Sequence, residues 1–297
     1  MIQSLQVAVS PCPNDTFAFY HFFTDVKNHG KYESIFLDIE ELNQGMIQSR
    51  WDIVKASFSL GLKQADYELL PSGSAIGFGV GPIAVYSESQ TASTQGHDAE
   101  SMTLEIRMAD KIKGGKFTVG LPGEHTMANF LWDFYHSVNR DILPQSIEKR
   151  FMNFADIMKA TEKGDLDMGI LIHEGRFVYK KYDLKLYCDL GEFWQNQTGF
   201  PVPLGGIFIR KNLPQIVKDL VKKDLKESVV NALNEKKGSD KIYLQQIIPY
   251  VKKYSQELSQ DVVEQHIDTY VTQETVTLSE VSLKAIEYLK KFLKGNI

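Results

Sequence analysis

Residues 10–17 read Ser-Pro-Cys-Pro-Asn-Asp-Thr-Phe and directly follow the apolar run Leu5–Val9. The two prolines of this stretch hold the backbone extended and remove two backbone donors. The three residues after the second proline are typical helix N-caps: Asn14, Asp15 and Thr16. A helix is therefore predicted over Thr16–Lys27. Open α/β sheets bind ligands at such strand-to-helix turns, although the same residues also suit a capped turn without a function.

Composition places the chain among globular proteins of ordinary character. Its 297 residues are enough for two domains. Of these residues 43% are hydrophobic and 24% are charged, which is ordinary for a globular protein. A net charge of −5 without a basic block argues against a nucleic-acid partner. The sequence has no eighteen-residue apolar run and no signal-peptide pattern, so we expect a cytoplasmic protein without a membrane partner. Cytoplasmic enzymes of this size often form homodimers.

The two cysteines, Cys12 and Cys188, fit no zinc pattern and no Cys-x-x-Cys motif. A disulfide is not expected in the cytoplasm. Cys12 lies in the rigid turn, yet no activating base is evident beside it, which disfavours a nucleophilic role.

Short apolar runs alternate with helical periodicity through the first two-thirds of the chain, which predicts an α/β fold with largely parallel pairing. The predicted strands are Leu5–Val9, Ile35–Ile39, Ile53–Phe58, Ile83–Tyr86, Phe117–Gly120, Met168–Ile172 and Gly206–Ile209. The predicted helices include Thr126–Ser137 and Ala155–Lys163.

The last ninety residues are helical by pattern. Thr277-Leu-Ser-Glu280 reads as a capping box before a terminal helix over Val281–Lys294. We expect that helix to pack on a sheet through one apolar side, formed by Val281, Ile286, Leu289 and Phe292.

Two stretches rich in glycine and proline, residues 77–82 and 199–206, mark places where the chain can cross between domains. They predict a discontinuous larger lobe, residues 1–86 and 205–297, and a smaller lobe, residues 87–204. Residues 87–103 are polar, so we interpret them as a surface loop or an insertion.

A short internal repeat also indicates two similar lobes. Residues 42–58 and 157–173 each have a helical stretch, a polar turn, an Asp and an apolar strand. In this alignment Lys55–Ser57 and His173 lie near the carboxyl ends of equivalent strands, and in α/β sheets such ends face the ligand.

His173 is the histidine best placed for chemistry, because it follows a buried strand and precedes a polar turn. Imidazole moves protons readily near neutral pH. Glu174 and Arg176 follow it and are candidates to orient or polarise the ring. A histidine bonded only to backbone is the alternative, and His125 is a rival base.

Two further features are candidate ligand contacts. The strand-to-helix turn Pro122–Met127 has backbone donors and the Thr126 hydroxyl, which suit a carboxylate or phosphate. Lys55 lies in an otherwise apolar strand and can anchor an acidic ligand. The alternative is a lysine on an edge strand that reaches solvent.

Several cofactor and catalytic motifs are absent from the sequence: GxGxxG after a strand, GxSxG, His-Glu-x-x-His and a Cys/His metal cluster. If the chain is an enzyme, we therefore expect acid–base chemistry with no metal and no cofactor.

Four blocks in order over some 200 residues resemble the 1,4-dihydroxy-6-naphthoate synthase family of the futalosine route to menaquinone. They are Ser-Pro-Cys-Pro-Asn-Asp-Thr-Phe (10–17), Asp-Ile-Val-Lys-Ala-Ser-Phe (52–58), Ile-His-Glu-Gly-Arg-Phe (172–177) and the segment 189–206, which runs from Asp-Leu-Gly-Glu-Phe-Trp to Thr-Gly-Phe-Pro-Val-Pro-Leu-Gly-Gly.

This resemblance implies a periplasmic-binding-protein-like fold of type 2, with two α/β lobes and the small-molecule substrate in the cleft. It implies a lyase that converts cyclic dehypoxanthine futalosine to 1,4-dihydroxy-6-naphthoate without metal or redox cofactor. His173 matches the family's proton acceptor. The family's ligand contacts match Lys55, Ala56, Ser57, Thr126 and Met127. Many members have a second threonine where this chain has Met127.

The resulting hypothesis is that the lobes close on the substrate, His173 removes a proton, and the sugar-derived fragment leaves as the second ring becomes aromatic. Asn14, Asp15 and Thr16 are candidates to bind the substrate or shuttle a proton. Alternatives that share the fold are a chorismate dehydratase-like sister enzyme, a secreted solute-binding protein and a cytoplasmic small-molecule-binding or regulatory domain.

Overall fold

The computed structural model describes residues 4–87, 117–141, 143, 146–238, 241–255 and 259–295. The chain divides into two units. Unit 1 comprises Met1–Gly77, His125–Met127 and Phe200–Ile297, and unit 2 comprises Phe78–Glu124 and Ala128–Gly199.

Strands and helices alternate along most of the described chain. The strands are β1 (Leu5–Val9), β2 (Tyr32–Phe36), β3 (Ile53–Ser57), β4 (Tyr67–Leu69), β5 (Ala75–Gly77), β6 (Ile83–Ser87), β7 (Phe117–Leu121), β8 (Ile147–Phe151), β9 (Met168–Leu171), β10 (Leu184–Asp189) and β11 (Val202–Arg210). The α-helices are α1 (Pro13–Ala18), α2 (Tyr20–Thr24), α3 (Ile39–Ile47), α4 (Phe58–Gly61), α5 (Met127–Val138), α6 (Phe154–Lys163), α7 (Gly175–Val178), α8 (Leu190–Thr198), α9 (Gln215–Lys237), α10 (Ile248–Tyr254), α11 (Gln260–Tyr270), α12 (Gln273–Val276) and α13 (Glu280–Leu293). Short 3₁₀ helices cover Val26–Asn28 and Tyr179–Tyr182, and Tyr243–Ile247 is a π-helix.

The sheet of unit 1 has the order β2-β1-β3-β11-β4, with β5 also paired to β11. β1 runs parallel to β2 and β3, whereas β11 runs antiparallel to β3, β4 and β5. A core of apolar side chains from β1, β3, β11, α2 and α9 packs together in this unit. Burial of this apolar surface is the main source of its stability.

The sheet of unit 2 repeats this plan with the order β8-β7-β9-β6-β10. β7 runs parallel to β8 and β9, and β6 runs antiparallel to β9 and β10. Each sheet therefore has three mutually parallel strands, followed by strands joined through antiparallel pairs: β11, β4 and β5 in unit 1, and β6 and β10 in unit 2. The similarity of the two units that the internal repeat predicted is confirmed at the level of strand order and direction.

The aspartates of the repeat make the same bond in both units. Asp52 Oδ2 accepts the backbone N–H of Gln6 at 2.9 Å, at the start of β1. Asp167 Oδ2 accepts the N–H of Thr118 at 2.8 Å and its hydroxyl at 3.0 Å, at the start of β7. Each carboxylate lies directly before one strand, β3 in unit 1 and β9 in unit 2, and thus ties it to its parallel neighbour, β1 or β7.

The same offset of 115 residues, from Asp52 to Asp167, also relates two helix caps. Asp38 caps α3 by accepting the N–H of Glu40 at 2.9 Å. Asn153 caps α6 by accepting the N–H of Ala155 at 3.0 Å. A side-chain oxygen at the N-cap satisfies donors that the helix itself leaves open.

The expectation of largely parallel pairing is wrong, because five of the nine strand pairings described are antiparallel. The antiparallel pairings all involve β6 or β11. The chain enters both strands from the other unit, so no βαβ crossover fixes their direction.

Most predicted elements are present with small changes in their bounds. β2 begins three residues before the predicted Ile35–Ile39 and ends three residues earlier. The predicted helix Thr16–Lys27 is instead divided into α1, α2 and a 3₁₀ turn. Four strands were not predicted. β4, β8 and β10 combine short length or mixed polarity with partial exposure, and β5 has only three residues.

The terminal helix α13 corrects two details of its prediction. Ser279 is the N-cap and accepts the N–H of Ser282 at 3.3 Å, so the capping box at Thr277 is wrong. Ile286 and Leu289 are buried as expected, but Val281 is exposed. The buried side of the helix is completed by small residues, which a search for large apolar side chains overlooks.

The predicted lobe boundaries at 86/87 and 204/205 fall later along the chain than those of the two units. β6 already pairs with strands of unit 2. Apart from Ser87, the polar stretch 87–103 lies outside the described residues.

We predict that Asp167→Ala lowers the free energy of unfolding by about 1–3 kcal/mol, because it leaves two donors of Thr118 without their acceptor. Denaturant titration measures this change. Asp165→Ala, which removes an exposed carboxylate two residues away, is the control and is expected to change stability by less than about 0.5 kcal/mol. Equal effects of the two substitutions would contradict the anchoring role of Asp167.

Candidate functional site

The stretch Ser10–Phe17 contains the turn between β1 and α1 and most of α1, whose helix begins earlier than predicted. Pro13 is the first helical residue and Cys12 is the N-cap, without a side-chain cap bond. The assignment of N-cap chemistry to Asn14, Asp15 and Thr16 is therefore wrong: these residues lie in the first turn. Proline suits the first helical position because its missing N–H would have no partner there.

The Asp15 carboxylate lies at the centre of a buried polar cluster. Its Oδ1 accepts the Lys55 ammonium at 2.8 Å and the Asn14 amide at 2.8 Å. Its Oδ2 accepts the Ser10 hydroxyl at 2.7 Å. Lys55 also donates to the carbonyl oxygen of Gly73 at 3.3 Å. Two opposite charges that are both buried are compensated here by direct pairing and by neutral donors and acceptors.

Lys55 lies inside the sheet, since β3 pairs with β1 on one side and β11 on the other. Its side chain is only 5% exposed, so the interpretation as an edge-strand lysine reaching solvent is wrong. A Cβ atom added to Gly205 would lie 2.8 Å from Lys55 Cε. Glycine at this position of β11 leaves the space through which the lysine chain passes.

Thr16 supports the cluster indirectly, by bonding to the backbone of the turn. Its hydroxyl donates to the carbonyl oxygen of Cys12 at 2.9 Å, and the N–H groups of Asp15 and Thr16 also bond that carbonyl. These bonds fix the first turn of α1 and with it the position of the Asp15 carboxylate.

Ser57 ends β3 and is fixed by Asn43 of α3. The Asn43 side chain accepts the N–H of Ser57 at 3.0 Å and donates to its hydroxyl oxygen at 3.2 Å. Both residues are buried. Ala56, between Lys55 and Ser57 in the sequence, is also buried and pairs with Gly206 of β11. Ser57 is thus held in one orientation at the carboxyl end of the strand.

The segment His125–Met127 lies in unit 1 beside α3 and α4. The N–H of His125 donates to Glu40 Oε2 at 3.0 Å, and the Ser59 hydroxyl donates to the His125 carbonyl at 3.2 Å. The Met127 sulfur accepts the N–H of Ser59 at 3.2 Å. Thr126 is buried. Met127 therefore has a structural contact of its own, which a threonine side chain would not reproduce.

His173 lies in unit 2, two residues beyond the end of β9. Its backbone has φ = 52°, in the left-handed region that few residues other than glycine adopt. The imidazole is half-buried and packs edge-on against the Phe154 ring, with the ring centres 4.9 Å apart. Such a conformation stores strain, and strained residues concentrate at functional sites.

Arg176 makes an ion pair with Asp189 rather than standing as an isolated charge. Its Nη1 donates to Asp189 Oδ2 at 2.5 Å and to the carbonyl oxygen of Gly81 at 2.8 Å. Asp189 also caps α8 by accepting the N–H groups of Gly191 and Glu192. Arg176 therefore connects three segments of unit 2.

Both cysteines are free thiols. Burial raises the pKa of Cys188 to about 12, so its thiol stays protonated at neutral pH. Cys12 is buried at the start of α1. The structure supplies no argument for a cysteine nucleophile.

Several residues of the unit 1 cluster were not singled out from the sequence. Ser10 was recognised only as part of a motif, and Asn43 and Gly73 carried no signal. Their roles depend on which segments the sheet brings together. Gly205 lies in a glycine-rich stretch, and that stretch was the one available indication of a close approach.

Comparison with known proteins places these features in a family. A family model described as menaquinone biosynthesis matches residues 5–294. The chain belongs to this menaquinone biosynthesis family. The family resemblance found in the four sequence blocks is thereby confirmed.

Two relatives match this chain almost from end to end. A 1,4-dihydroxy-6-naphthoate synthase from Streptomyces coelicolor is 33% identical over 96% of this chain and 91% of that protein. A protein of the same name from Thermus thermophilus is 30% identical over 97% of this chain and 93% of that protein.

Comparison with solved structures shows which fold this chain has. A protein from Archaeoglobus fulgidus superposes with a TM-score of 0.80 at 25% identity, over 100% of this chain and 99% of that one. A Candida albicans protein with the generic periplasmic binding protein fold superposes with a TM-score of 0.62 at 11% identity, over 99% and 90%. The predicted periplasmic-binding-protein-like α/β class is confirmed. Among the described residues, no helix has both the length and the apolar character required to span a membrane.

We predict that Lys55→Met lowers the free energy of unfolding by about 3–5 kcal/mol, because it leaves the Asp15 carboxylate buried without its cation. Adding Asp15→Asn to this variant should recover much of the loss. Lys27→Met is the control, since its pair with Glu227 is exposed and is expected to contribute less than about 1 kcal/mol. Denaturant titration of the four proteins provides the comparison, and similar losses for Lys55→Met and Lys27→Met would refute the prediction.

Asp38 should make stability depend on pH. Burial raises the pKa of its carboxyl group, partly opposed by the N–H of Glu40. The folded state therefore prefers the protonated acid: this contribution is present below the unfolded pKa and is lost as pH rises through the folded pKa. Asp38→Asn keeps the cap and removes the titration. The stability of this variant relative to wild type is expected to increase from pH 4 to pH 7, and a decrease over that range would contradict the assignment.

Proposed function

We propose that this chain is a 1,4-dihydroxy-6-naphthoate synthase that converts cyclic dehypoxanthine futalosine to 1,4-dihydroxy-6-naphthoate. The observation that carries the proposal is the end-to-end similarity to two proteins of that name, at 33% and 30% identity. The menaquinone biosynthesis family agrees with it. Since the relatives are named synthases, the chain is an enzyme, and we propose that it is a carbon–carbon lyase without a cofactor.

In this proposal the end of β3 contacts the substrate. The Lys55 ammonium has three N–H donors, and among the described residues it uses two of them, for Asp15 and Gly73. Its third donor can bond a substrate oxygen without breaking the ion pair. Ser57 offers its hydroxyl beside Lys55, and Ala56 contributes through the backbone that joins them.

The turn at residues 125–127 is the second proposed contact. Thr126 has a hydroxyl directly before the first residue of α5, and backbone N–H groups at a helix start favour an anionic oxygen. Met127 contributes shape and its own N–H. The aromatic carboxylate and the sugar-derived hydroxyls of the substrate are the groups that such donors would bind.

Asn14, Asp15 and Thr16 support these contacts. Asp15 already accepts three hydrogen bonds, so we assign it to positioning Lys55 rather than to proton transfer. The half-buried Asn14 amide uses one donor on Asp15. Its remaining polar groups can therefore meet the substrate.

His173 is the proposed base. It removes a proton from the substrate, and the released electron pair expels the sugar-derived fragment as the second ring becomes aromatic. Aromatisation supplies the driving force, so the protein needs positioning and one base near neutral pH. The left-handed backbone of His173 holds the imidazole beyond the end of β9. Neither an electron acceptor nor a metal is needed for this balance of electrons.

His173→Asn tests the base, because asparagine tolerates the left-handed conformation better than most residues and cannot take up the proton. We expect turnover of cyclic dehypoxanthine futalosine to fall by about 10²–10⁴-fold while the protein stays folded. Product formation is followed by absorbance and mass spectrometry, without added metal or nucleotide. Asp183→Asn is the control, since Asp183 is exposed and also left-handed.

Each result of this assay separates the alternatives. Near wild-type turnover by His173→Asn would show that another residue is the base. Substrate binding without turnover by the wild type would indicate a small-molecule-binding protein of the same fold. Turnover of chorismate in place of the cyclic substrate would indicate the sister dehydratase. The cytoplasmic location and the homodimer remain predictions from the sequence.

A further inference from the structure

Two serines flank Gly73 in the loop before β5, and their hydroxyl groups differ. The Ser72 hydroxyl donates to the carbonyl oxygen of Val276 at 2.8 Å. The Ser74 hydroxyl is buried and has no hydrogen-bond partner among the residues that the structure describes. Ser74 as a whole is only 1% exposed. One serine thus fastens the loop, and the other contributes no bond of its own to the fold.

A buried hydroxyl without a partner opposes folding, because it loses its bonds to water and gains none in return. Native proteins contain few such groups, and each calls for an explanation. Other such atoms in unit 1 include Asp38 Oδ2, Trp51 Nε1 and the Tyr243 hydroxyl. Tyr243 packs into an apolar core cluster, whereas Ser74 directly follows Gly73, whose carbonyl oxygen accepts the Lys55 ammonium.

The residues on either side of Ser74 contact the strands that carry the proposed substrate site. The carbonyl of the preceding Gly73 accepts the Lys55 ammonium at 3.3 Å. The residue after it, Ala75, pairs with Gly205, and Gly205 pairs with Ser57 on its other side. With neighbouring strands about 4.8 Å apart, Ala75 and Ser57 are separated by about 10 Å. Ser74 therefore directly follows the residue that bonds Lys55, and it directly precedes the residue that pairs with Gly205.

The Gly73 loop also holds Ser74 in place without help from the serine itself. Gly73 has φ = 85° and donates its N–H to Thr275 at 2.8 Å. A Cβ atom on Gly73 would lie 2.5 Å from the side chain of Ile207. Because the loop is fixed in this way, the backbone of Ser74 is in place before a ligand binds, which lowers the entropy that binding would cost.

We propose that Ser74 is an additional substrate-binding residue, whose hydroxyl forms a hydrogen bond with a substrate oxygen next to Lys55. This inference rests on the proposed function of the same site. The oxygen belongs either to the aromatic carboxylate or to a hydroxyl of the sugar-derived fragment. A binding residue that is unsatisfied in the free protein exchanges stability for affinity, which gives it a signature that a structural serine lacks.

The test compares Ser74→Ala with Ser72→Ala. Ser74→Ala should raise the KM for cyclic dehypoxanthine futalosine and its Kd roughly tenfold. The melting temperature of the unliganded variant should stay level or rise. Ser72→Ala should lower the melting temperature and leave KM and Kd unchanged, because its hydroxyl bonds only the fold.

The proposal is overturned if Ser74→Ala binds the substrate as the wild type does, or if both variants lose affinity equally. Titration with the product 1,4-dihydroxy-6-naphthoate identifies the oxygen. Weaker binding of both substrate and product supports the carboxylate, and weaker binding of the substrate alone supports the sugar-derived fragment. If the wild type neither binds nor converts the substrate, the proposed function fails, and the melting temperatures alone still show whether Ser74 is structural.

Discussion

The ion pair between Asp15 and Lys55 is the interaction on which unit 1 depends most. It joins the turn after β1, the middle of β3 and the loop before β5 through one carboxylate and one ammonium. Charges as buried as these persist only when every neighbour compensates them. Ser10, Asn14 and the Gly73 carbonyl do so. The need to compensate these two buried charges explains why polar groups gather around Lys55.

The two units share one strand order, yet they carry different chemistry at equivalent positions. The offset of 115 residues that relates Asp52 to Asp167 also relates Phe58 to His173 and Ser57 to Ile172. Unit 1 therefore has polar groups suited to hold a ligand, where unit 2 has the apolar strand β9 with His173 two residues beyond its end.

Much of this arrangement was predictable, and the limits have physical causes. The run Leu5–Val9 and the strand before His173 were evident because buried strands are continuous apolar runs. The direction of β6 and β11 was not, since no local pattern encodes which unit a strand enters from. The partner of Lys55 was missed because Asp15 is 40 residues away in sequence. Ser74 was missed because a serine in a glycine-containing loop resembles any turn.

In the proposed complex, the Asp15–Lys55 pair stays intact while β3 presents Lys55 and Ser57 to the ligand. A crystal structure with bound 1,4-dihydroxy-6-naphthoate tests this most directly. We expect a ligand oxygen within hydrogen-bond distance of Lys55 Nζ or the Ser57 hydroxyl, with the 2.8 Å bond to Asp15 retained. A ligand that draws Lys55 away from Asp15, or that binds without contact to the end of β3, would contradict it.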